Sequence, residues 1–155
     1  MDIAKLLTEK KLKITTAESC TGGLIAKLLT DISGASNFFD IGFVTYSNDA
    51  KIKMLGVKPK TLESFGAVSA ETAREMCEGA LKKSDADIAV SVTGIAGPTG
   101  GSGQKPVGLV YIGICGSRGT AAEKFLFKGA RDEIRNAAAR KALQTAYDYI
   151  VQSDD

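Results

Sequence analysis

The sequence contains no histidine and no tryptophan among its 155 residues, and both absences narrow its chemistry. Without histidine, neither a Ser-His-Asp triad nor a Cys-His pair can form within the chain. Most histidine-containing zinc sites are excluded too, because only scattered cysteine and carboxylate residues remain. Aromatic residues make up 6% of the chain, which leaves few stacking platforms for single-stranded nucleic acid.

Cysteine, net charge and long apolar runs are also limited. Cys20, Cys77 and Cys115 are far apart and match no CxxC or zinc spacing, which predicts reduced thiols. The net charge is +2 and the basic residues are spread along the chain, which does not favour a nucleic-acid partner. Residues 1–13 lack the features of a signal peptide, and the longest apolar run, residues 107–115, is about half a membrane span. We therefore expect a cytoplasmic protein with no nucleic-acid or membrane partner.

The order of predicted elements indicates an α/β protein, and its length fits a single domain, residues 1–155. Alternating apolar residues predict strands, and apolar residues three and four apart predict helices. The predicted helices cover residues 2–10, a segment capped by Thr21, residues 48–55, a segment capped by Ser69, and residues 131–152. The predicted strands cover residues 11–19, 38–47, 86–92, 107–115 and 120–128, with loops at 57–67 and 93–106. Strands that alternate with helices and end in a hairpin imply a three-layer α/β/α sandwich with a mixed, mostly parallel sheet.

The segment TAESCTGG, residues 16–23, joins a predicted strand to a helix. It carries three neighbouring side chains that could act as nucleophiles, those of Ser19, Cys20 and Thr21. Ligands of α/β sheets bind where strands end and helices begin, and the amides of the two glycines could bind a phosphate, a carboxylate or a developing oxyanion. An equal alternative is that the hydroxyl groups cap the helix and the glycines permit a tight turn.

The segment YSNDAK, residues 46–51, places a lysine where its pKa is expected to fall. Ser47 or Asn48 can cap a short helix, so Lys51 faces the positive end of the helix dipole. That field, with any burial, would lower the pKa of Lys51 toward the range of a general base. The alternatives are a solvated surface lysine and, for Tyr46, a core aromatic side chain whose hydroxyl reaches water.

A second glycine-rich segment, TGIAGPTGG at residues 93–101, follows the most buried predicted strand. Thr93 ends that strand, so its hydroxyl is expected to face the crevice beside residues 16–23. The segment lacks the closing Gly-Lys-Ser/Thr of a Walker A loop and the spacing G-x-G-x-x-G. A backbone nest for an anion and a flexible crossover both remain open.

Six segments resemble, in the same order, the CinA C-terminal domain family, whose members include nicotinamide mononucleotide amidohydrolases. They are residues 16–23, 44–57, 66–73, 91–101, 105–113 and 129–135, and they span nearly the whole chain. The resemblance implies a three-layer α/β/α fold without a metal or a cofactor. It also implies hydrolysis of the carboxamide of nicotinamide mononucleotide to nicotinate mononucleotide and ammonia, within pyridine-nucleotide recycling.

The resemblance further implies roles for individual residues. Ser19 is the expected nucleophile with Cys20 as its rival, Lys51 is the expected base, and Tyr46 or Lys51 protonates the departing ammonia. The expected substrate-binding residues come from both glycine-rich segments and two cationic side chains: Cys20, Thr21, Gly22, Gly23, Thr93, Gly94, Lys105 and Arg131. Amides near Thr21, Gly22 or Gly94 would stabilise the oxyanion, and Lys105 or Arg131 would pair with the phosphate. After residue 101 the chain reads SGQ, whereas the family is often acidic there.

Two alternatives to this amidohydrolase stay open. One is a catalytically silent nucleotide-binding or regulatory module, and the other is a Ser/Lys hydrolase of a different amide. In each case the expected partner is a small molecule. For the amidohydrolase and for the silent module, this small molecule is a nucleotide. The last predicted helix has an alanine-rich face that fits either the core or the partner surface of a homo-oligomer: Ala137, Ala138, Ala142 and Ala146.

Overall fold

The computed structural model describes residues 2–152, which form a five-stranded sheet between helices. The strands are β1 (Ile14–Glu18), β2 (Gly42–Val44), β3 (Ile88–Gly94), β4 (Leu109–Gly116) and β5 (Gly119–Leu126), in the order β2-β1-β3-β4-β5. β1 is parallel to β2 and β3, whereas β4 is antiparallel to β3 and β5. All strands except β4 therefore run in one direction, and the predicted mixed, mostly parallel sheet is confirmed.

Helices cover both faces of this sheet. They are α1 (Ile3–Lys10), α2 (Leu24–Thr30), α3 (Asn48–Leu55), α4 (Pro59–Phe65), α5 (Ala70–Lys82) and α6 (Arg131–Val151). α1, α2 and α6 share one apolar core, to which β3 contributes Val90 and Val92. α3, α4 and α5 share a second core, to which β3 contributes Ala89. Because successive strand residues point to opposite faces, the sheet contributes side chains to both cores. The predicted three-layer α/β/α sandwich is confirmed.

The alanine-rich face of α6 belongs mainly to the first core. Ala138, Ala142 and Ala146 are fully buried there, whereas Ala137 is half-buried. None of the helices in residues 2–152 combines the length and the apolar character that a bilayer crossing requires.

The predicted N-cap of the second helix is wrong. Gly22 and Gly23 adopt φ angles of 58° and 104°, so the chain turns before the helix begins at Leu24. The cap is instead the carboxylate of Glu18, the last residue of β1, which is fully buried. It accepts hydrogen bonds from the amides of Gly23 (3.2 Å), Ile25 (2.8 Å) and Ala26 (3.1 Å). A carboxylate at this position also interacts favourably with the helix dipole.

Two other predicted segments differ most from the structure, whereas the ends of the remaining predicted elements shift by three residues or fewer. The predicted loop at residues 57–67 contains α4, which starts with Pro59 in its first turn, where the missing amide hydrogen costs nothing. The predicted strand at residues 38–47 shortens to β2, because Phe38 follows a single 3₁₀ turn (Ala35–Asn37) and packs into the first core. Neither difference moves residues 46–51 away from the edge of the sheet at which β1 ends.

Candidate active site

The last residues of β1 and β3 bring the two glycine-rich segments together. Glu18 pairs with Val92 in the parallel register of these strands. The next amide, that of Ser19, still donates to the Val92 carbonyl at 2.9 Å. Ser19 and Thr93 therefore leave neighbouring strands side by side, as the sequence predicts.

The side chain of Lys51 reaches this edge from α3. Its Nζ donates to Ser19 Oγ at 2.9 Å and to the Thr45 carbonyl at 2.9 Å, with a longer contact of 3.4 Å to the Tyr46 carbonyl. Lys51 is only 1% exposed and Ser19 is 8% exposed. The arrangement is a buried amine held against a buried hydroxyl.

Local structure explains why α3 can present its lysine there. The amide of Thr45 donates to the Glu18 carbonyl at 2.9 Å, which extends the pairing of β1 and β2 beyond their strand ends. Ser47 then caps α3, because its Oγ accepts from the Ala50 amide at 3.0 Å. Lys51 is the fourth residue of that helix, so its side chain points back toward the strand ends.

Burial lowers the pKa of Lys51 to about 8, against a smaller opposing effect of the Cys20 thiol. Removal of the charged amine from water disfavours its protonated form, and this desolvation lowers the pKa. At pH 7 about a tenth of the amines are then uncharged. The expected general base is thus available near neutral pH.

The thiol of Cys20 lies beside this pair but is less suited to attack. Burial raises the pKa of Cys20 to about 11, although its own backbone amide and the charges of Arg135 and Lys51 oppose the increase. A thiol is nucleophilic as the thiolate, and burial in apolar surroundings suppresses that form. The electrostatics of the site favour the hydroxyl of Ser19.

A pocket of about 170 Å³ opens at this edge of the sheet. Seven of the predicted site residues line it: Ser19, Cys20, Tyr46, Lys51, Thr93, Gly94 and Arg131. Asn48, Ala67, Val68 and Ala96 complete its wall.

The end of β3 forms one side of the pocket. Thr93 is almost fully buried, and its Oγ1 donates to the Ala67 carbonyl at 2.8 Å, which ties β3 to the segment before α5. Gly94 lies close to β4, where a Cβ atom would stand 2.7 Å from the Leu109 carbonyl oxygen. The close approach of the two strands therefore requires glycine at position 94.

Arg131 and Tyr46 stand together at the mouth of the pocket. Arg131 Nη1 donates to the Gly97 carbonyl at 2.7 Å, and its Nη2 donates to Tyr46 Oη at 3.2 Å. Tyr46 is 62% exposed, so one face of the site is open. Arg131 therefore links the second glycine-rich segment to Tyr46 and supplies a cation at the mouth of the pocket.

Four predicted site residues do not line the pocket. Lys105 donates through Nζ to the Phe65 carbonyl at 2.6 Å and does not line the pocket. The Gly22 amide donates to the Ser19 carbonyl, and the Gly23 amide is taken by Glu18. The Thr21 side chain is buried, and its Oγ1 has no hydrogen-bond partner within residues 2–152.

Sequence reasoning missed two residues that hold residues 16–23 in place. Glu18 caps α2, and Arg135 donates through Nε to the Cys20 carbonyl (3.0 Å) and through Nη2 to the Thr21 carbonyl (3.1 Å). The feature that could have indicated Glu18 is its charge, because it is the one charged residue of the strand Ile14–Glu18, all five residues of which are buried. The signal for Arg135 was its position four residues after Arg131, on the same side of a predicted helix.

The described part of the chain brings no three histidine, cysteine, aspartate or glutamate side chains together as possible metal ligands. The charged groups that face the pocket are the Lys51 amine and the Arg131 guanidinium. Such a site can deprotonate a hydroxyl and bind an anionic group.

The fold and the site define an α/β protein with a buried Ser-Lys pair at the carboxyl edge of its parallel strands. The sequence model of the CinA C-terminal domain family matches residues 1–150, and the chain belongs to this family. A CinA-like protein from Endomicrobium trichonymphae is 56% identical over 139 residues, which are 90% of this chain and 32% of that protein. The chain spans about a third of the length of the curated relatives it matches.

Solved structures of similar proteins have the same fold. The competence/damage inducible protein CihA from Agrobacterium tumefaciens is 49% identical, with a TM-score of 0.90 over 95% of this chain and 94% of that one. The competence damage-inducible protein A from Klebsiella pneumoniae is 35% identical, with a TM-score of 0.93 over 97% of this chain and 93% of that one.

Proposed function

We propose that this protein is a cytoplasmic amidohydrolase that converts nicotinamide mononucleotide to nicotinate mononucleotide and ammonia. The observation that carries the proposal is the 2.9 Å contact between Lys51 Nζ and Ser19 Oγ, both of them buried. A serine activated by a lysine needs no histidine, which this sequence lacks. The family resemblance supplies the choice of substrate and its place in pyridine-nucleotide recycling.

In the first step, uncharged Lys51 accepts the proton of Ser19 as Oγ attacks the carboxamide carbon. A new C–O bond forms, and the carbonyl π electrons move to the oxygen. Two backbone amides next to Ser19, those of Cys20 and Thr21, donate to no other described residue and can bind this oxyanion. One such donor is typically worth about 3 kcal/mol of transition-state stabilisation.

In the second step, the C–N bond breaks and ammonia leaves with the proton that Lys51 has accepted. Lys51 is better placed than Tyr46 for this transfer, because the Tyr46 hydroxyl accepts a hydrogen bond from Arg131 at the pocket mouth. Water then attacks the acyl-enzyme while Lys51 accepts its proton, and this proton returns to Ser19 Oγ as the C–O bond breaks.

The groups at the pocket mouth fit the rest of the nucleotide. Arg131 offers a guanidinium group to the phosphate, an interaction that can be bidentate. The exposed ring of Tyr46 offers an aromatic face to the cationic pyridinium ring. Lys105 is less suited as the phosphate partner, because its amine already donates to the Phe65 carbonyl outside the pocket.

The test is the release of ammonia from nicotinamide mononucleotide by the purified protein. We expect activity in the unmodified protein and in Cys20→Ala, and none in Ser19→Ala or Lys51→Met. Loss of activity in Cys20→Ala together with activity in Ser19→Ala would reverse the choice of nucleophile.

Other outcomes would identify the alternative functions. Binding of nicotinamide mononucleotide with no ammonia release would indicate a silent nucleotide-binding module. Release of ammonia from another carboxamide in a substrate panel, but not from the nucleotide, would indicate a different Ser/Lys amidase.

A further inference from the structure

The amide groups that follow Ser19 are nearly all paired. The Gly22 amide donates to the Ser19 carbonyl, and the Leu24 amide donates to the Thr21 carbonyl. The carboxylate of Glu18 accepts from the amides of Gly23, Ile25 and Ala26, as described above. Within this described segment, only the amides of Cys20 and Thr21 donate to no other residue.

Arg135 binds the same two residues through their carbonyl groups. Its Nε donates to Cys20 O at 3.0 Å and its Nη2 to Thr21 O at 3.1 Å. The guanidinium group is half-buried and does not line the pocket. Arg135 therefore contacts the backbone of the turn and not the space in which a substrate would lie.

Peptide geometry links these carbonyl contacts to the directions of the Cys20 and Thr21 amides. In a planar trans peptide, the C=O and N–H groups point in opposite directions. A hydrogen bond that fixes the Cys20 carbonyl on the side of Arg135 consequently fixes the Thr21 amide on the opposite side. The Cys20 amide is held in the same way, because the Gly22 amide binds the Ser19 carbonyl.

We infer that Arg135 is a positioning residue: it fixes the peptide between Cys20, which lines the pocket, and Thr21, and so aims the Thr21 amide at the oxyanion formed when Ser19 attacks its substrate. This inference rests on the proposed function in that it takes Ser19 as the nucleophile. Arginine suits the role because its planar fork can bind two carbonyl oxygens at once, whereas lysine presents a single charged nitrogen. The effect concerns the transition state, so the loss of Arg135 lowers kcat and leaves KM unchanged.

The first measurement uses a fluorophosphonate probe, which does not depend on the natural substrate. Ser19 Oγ forms a bond to phosphorus, fluoride leaves, and the serine proton passes through Lys51 to solvent. The phosphoryl oxygen then occupies the place of the oxyanion. Mass spectrometry identifies the labelled residue, and the rate constant is measured against pH for Arg135→Ala, Arg135→Lys and the control Arg140→Ala, an exposed arginine on the same helix.

We expect Arg135→Ala to be labelled at least about tenfold more slowly than the unmodified protein. Removal of an oxyanion donor typically slows a reaction by about a hundredfold or more, and its displacement should cause part of that loss. Arg135→Lys is intermediate and Arg140→Ala is unchanged. The midpoint of the pH dependence stays the same in all variants, because the contacts of Lys51 are unaltered. With nicotinamide mononucleotide, kcat falls by a similar factor and KM changes by less than about twofold.

Labelling of folded Arg135→Ala at the unmodified rate would overturn the inference. So would a slower rate accompanied by a shifted pH midpoint or a parallel rise in KM, because these indicate general damage to the site. If thermal unfolding shows that Arg135→Ala does not fold, Arg135→Lys and Arg135→Gln provide the same comparison. Labelling of the unmodified protein without ammonia release would refute the proposed substrate alone, whereas no labelling at all would refute both proposals.

Discussion

Lys51 Nζ lies 2.9 Å from Ser19 Oγ, and the contact joins residues 32 positions apart in the chain. The Thr45 carbonyl holds the same amine at 2.9 Å, so its position is fixed by the backbone as well as by Ser19. Such a preorganised amine needs no change of position before it accepts a proton, since loss of its own proton leaves a lone pair that can face Ser19 Oγ. The pair is therefore the part of the site whose chemistry can be tested most directly.

The hydrolysis rate should follow the protonation state of Lys51. Burial lowers the pKa of Lys51 to about 8, and only the uncharged amine can accept the serine proton. Activity is consequently lost as the pH falls below about 8, by about tenfold per unit, and is constant above it. The measurement is kcat/KM for nicotinamide mononucleotide between pH 6 and 10, where pH 10 is roughly the upper end before ordinary lysines deprotonate.

A matched control for this profile is Lys53→Met, which alters an exposed lysine of the same helix. It should keep both the rate and the midpoint of the unmodified protein, whereas Lys51→Met should be inactive at every pH. A rate that does not vary with pH, or one that still rises about tenfold per unit up to pH 10, as the ordinary lysine pKa of 10.5 would give, would contradict the role of Lys51 as the base.

Arg131 should bind the phosphate, and Lys105 should not. A charge-assisted hydrogen bond contributes about 1.5–3 kcal/mol, so Arg131→Ala should raise KM for nicotinamide mononucleotide by about tenfold or more. Lys105→Ala should change it by less than about twofold, because that amine binds the Phe65 carbonyl. The measurement is steady-state kinetics with the nucleotide and with nicotinamide riboside, which has no phosphate. An equal effect of Arg131→Ala on both substrates would rule out phosphate binding by Arg131.

The cap formed by Glu18 should contribute to stability. In Glu18→Gln an NH₂ group replaces one carboxylate oxygen and faces a backbone amide, which leaves a buried donor without an acceptor. We expect the free energy of unfolding in urea to fall by about 1–3 kcal/mol. Glu63→Gln, at an exposed position of α4, is the control and should stay within about 0.5 kcal/mol. Equal stability of the two variants would mean that the cap contributes little.

Gly94 should not tolerate even a methyl group. A Cβ atom there would lie 2.6 Å from Val110 Cγ2 and 2.7 Å from the Leu109 carbonyl oxygen, so β3 and β4 would have to separate at the pocket. Gly94→Ala should lower the free energy of unfolding by about 1–3 kcal/mol. In Gly103→Ala the added atom meets nothing within 4 Å and no change is expected. Thermal unfolding of both variants tests the pair, and a stable Gly94→Ala would contradict the close strand contact.

The resemblance to the CinA C-terminal domain family was needed to pair Ser19 with Lys51, because the pattern of strands and helices placed each of them near a strand end without showing that β1 and β2 are neighbours. The sequence was not sufficient for Arg135, whose partners are backbone carbonyls 114 and 115 positions away. Glu18 was not predicted as a cap, because a capping side chain is expected at the residue next to the helix. This carboxylate instead belongs to the preceding strand and binds amides five to eight residues further along the chain. α4 was missed because Pro59 was interpreted as a loop residue, although proline also starts helices.

The order of the site residues along the chain sets when the proposed enzyme becomes active during synthesis. Ser19 and Lys51 belong to the first third of the chain, but Arg131 and Arg135 lie in the first turns of the last helix. A nascent polypeptide that ends before α6 contains the nucleophile and its base but lacks two guanidinium groups. We propose that one of them binds the phosphate and that the other orients the Thr21 amide. Hydrolysis is accordingly expected to begin only once α6 has left the ribosome and packed against the sheet.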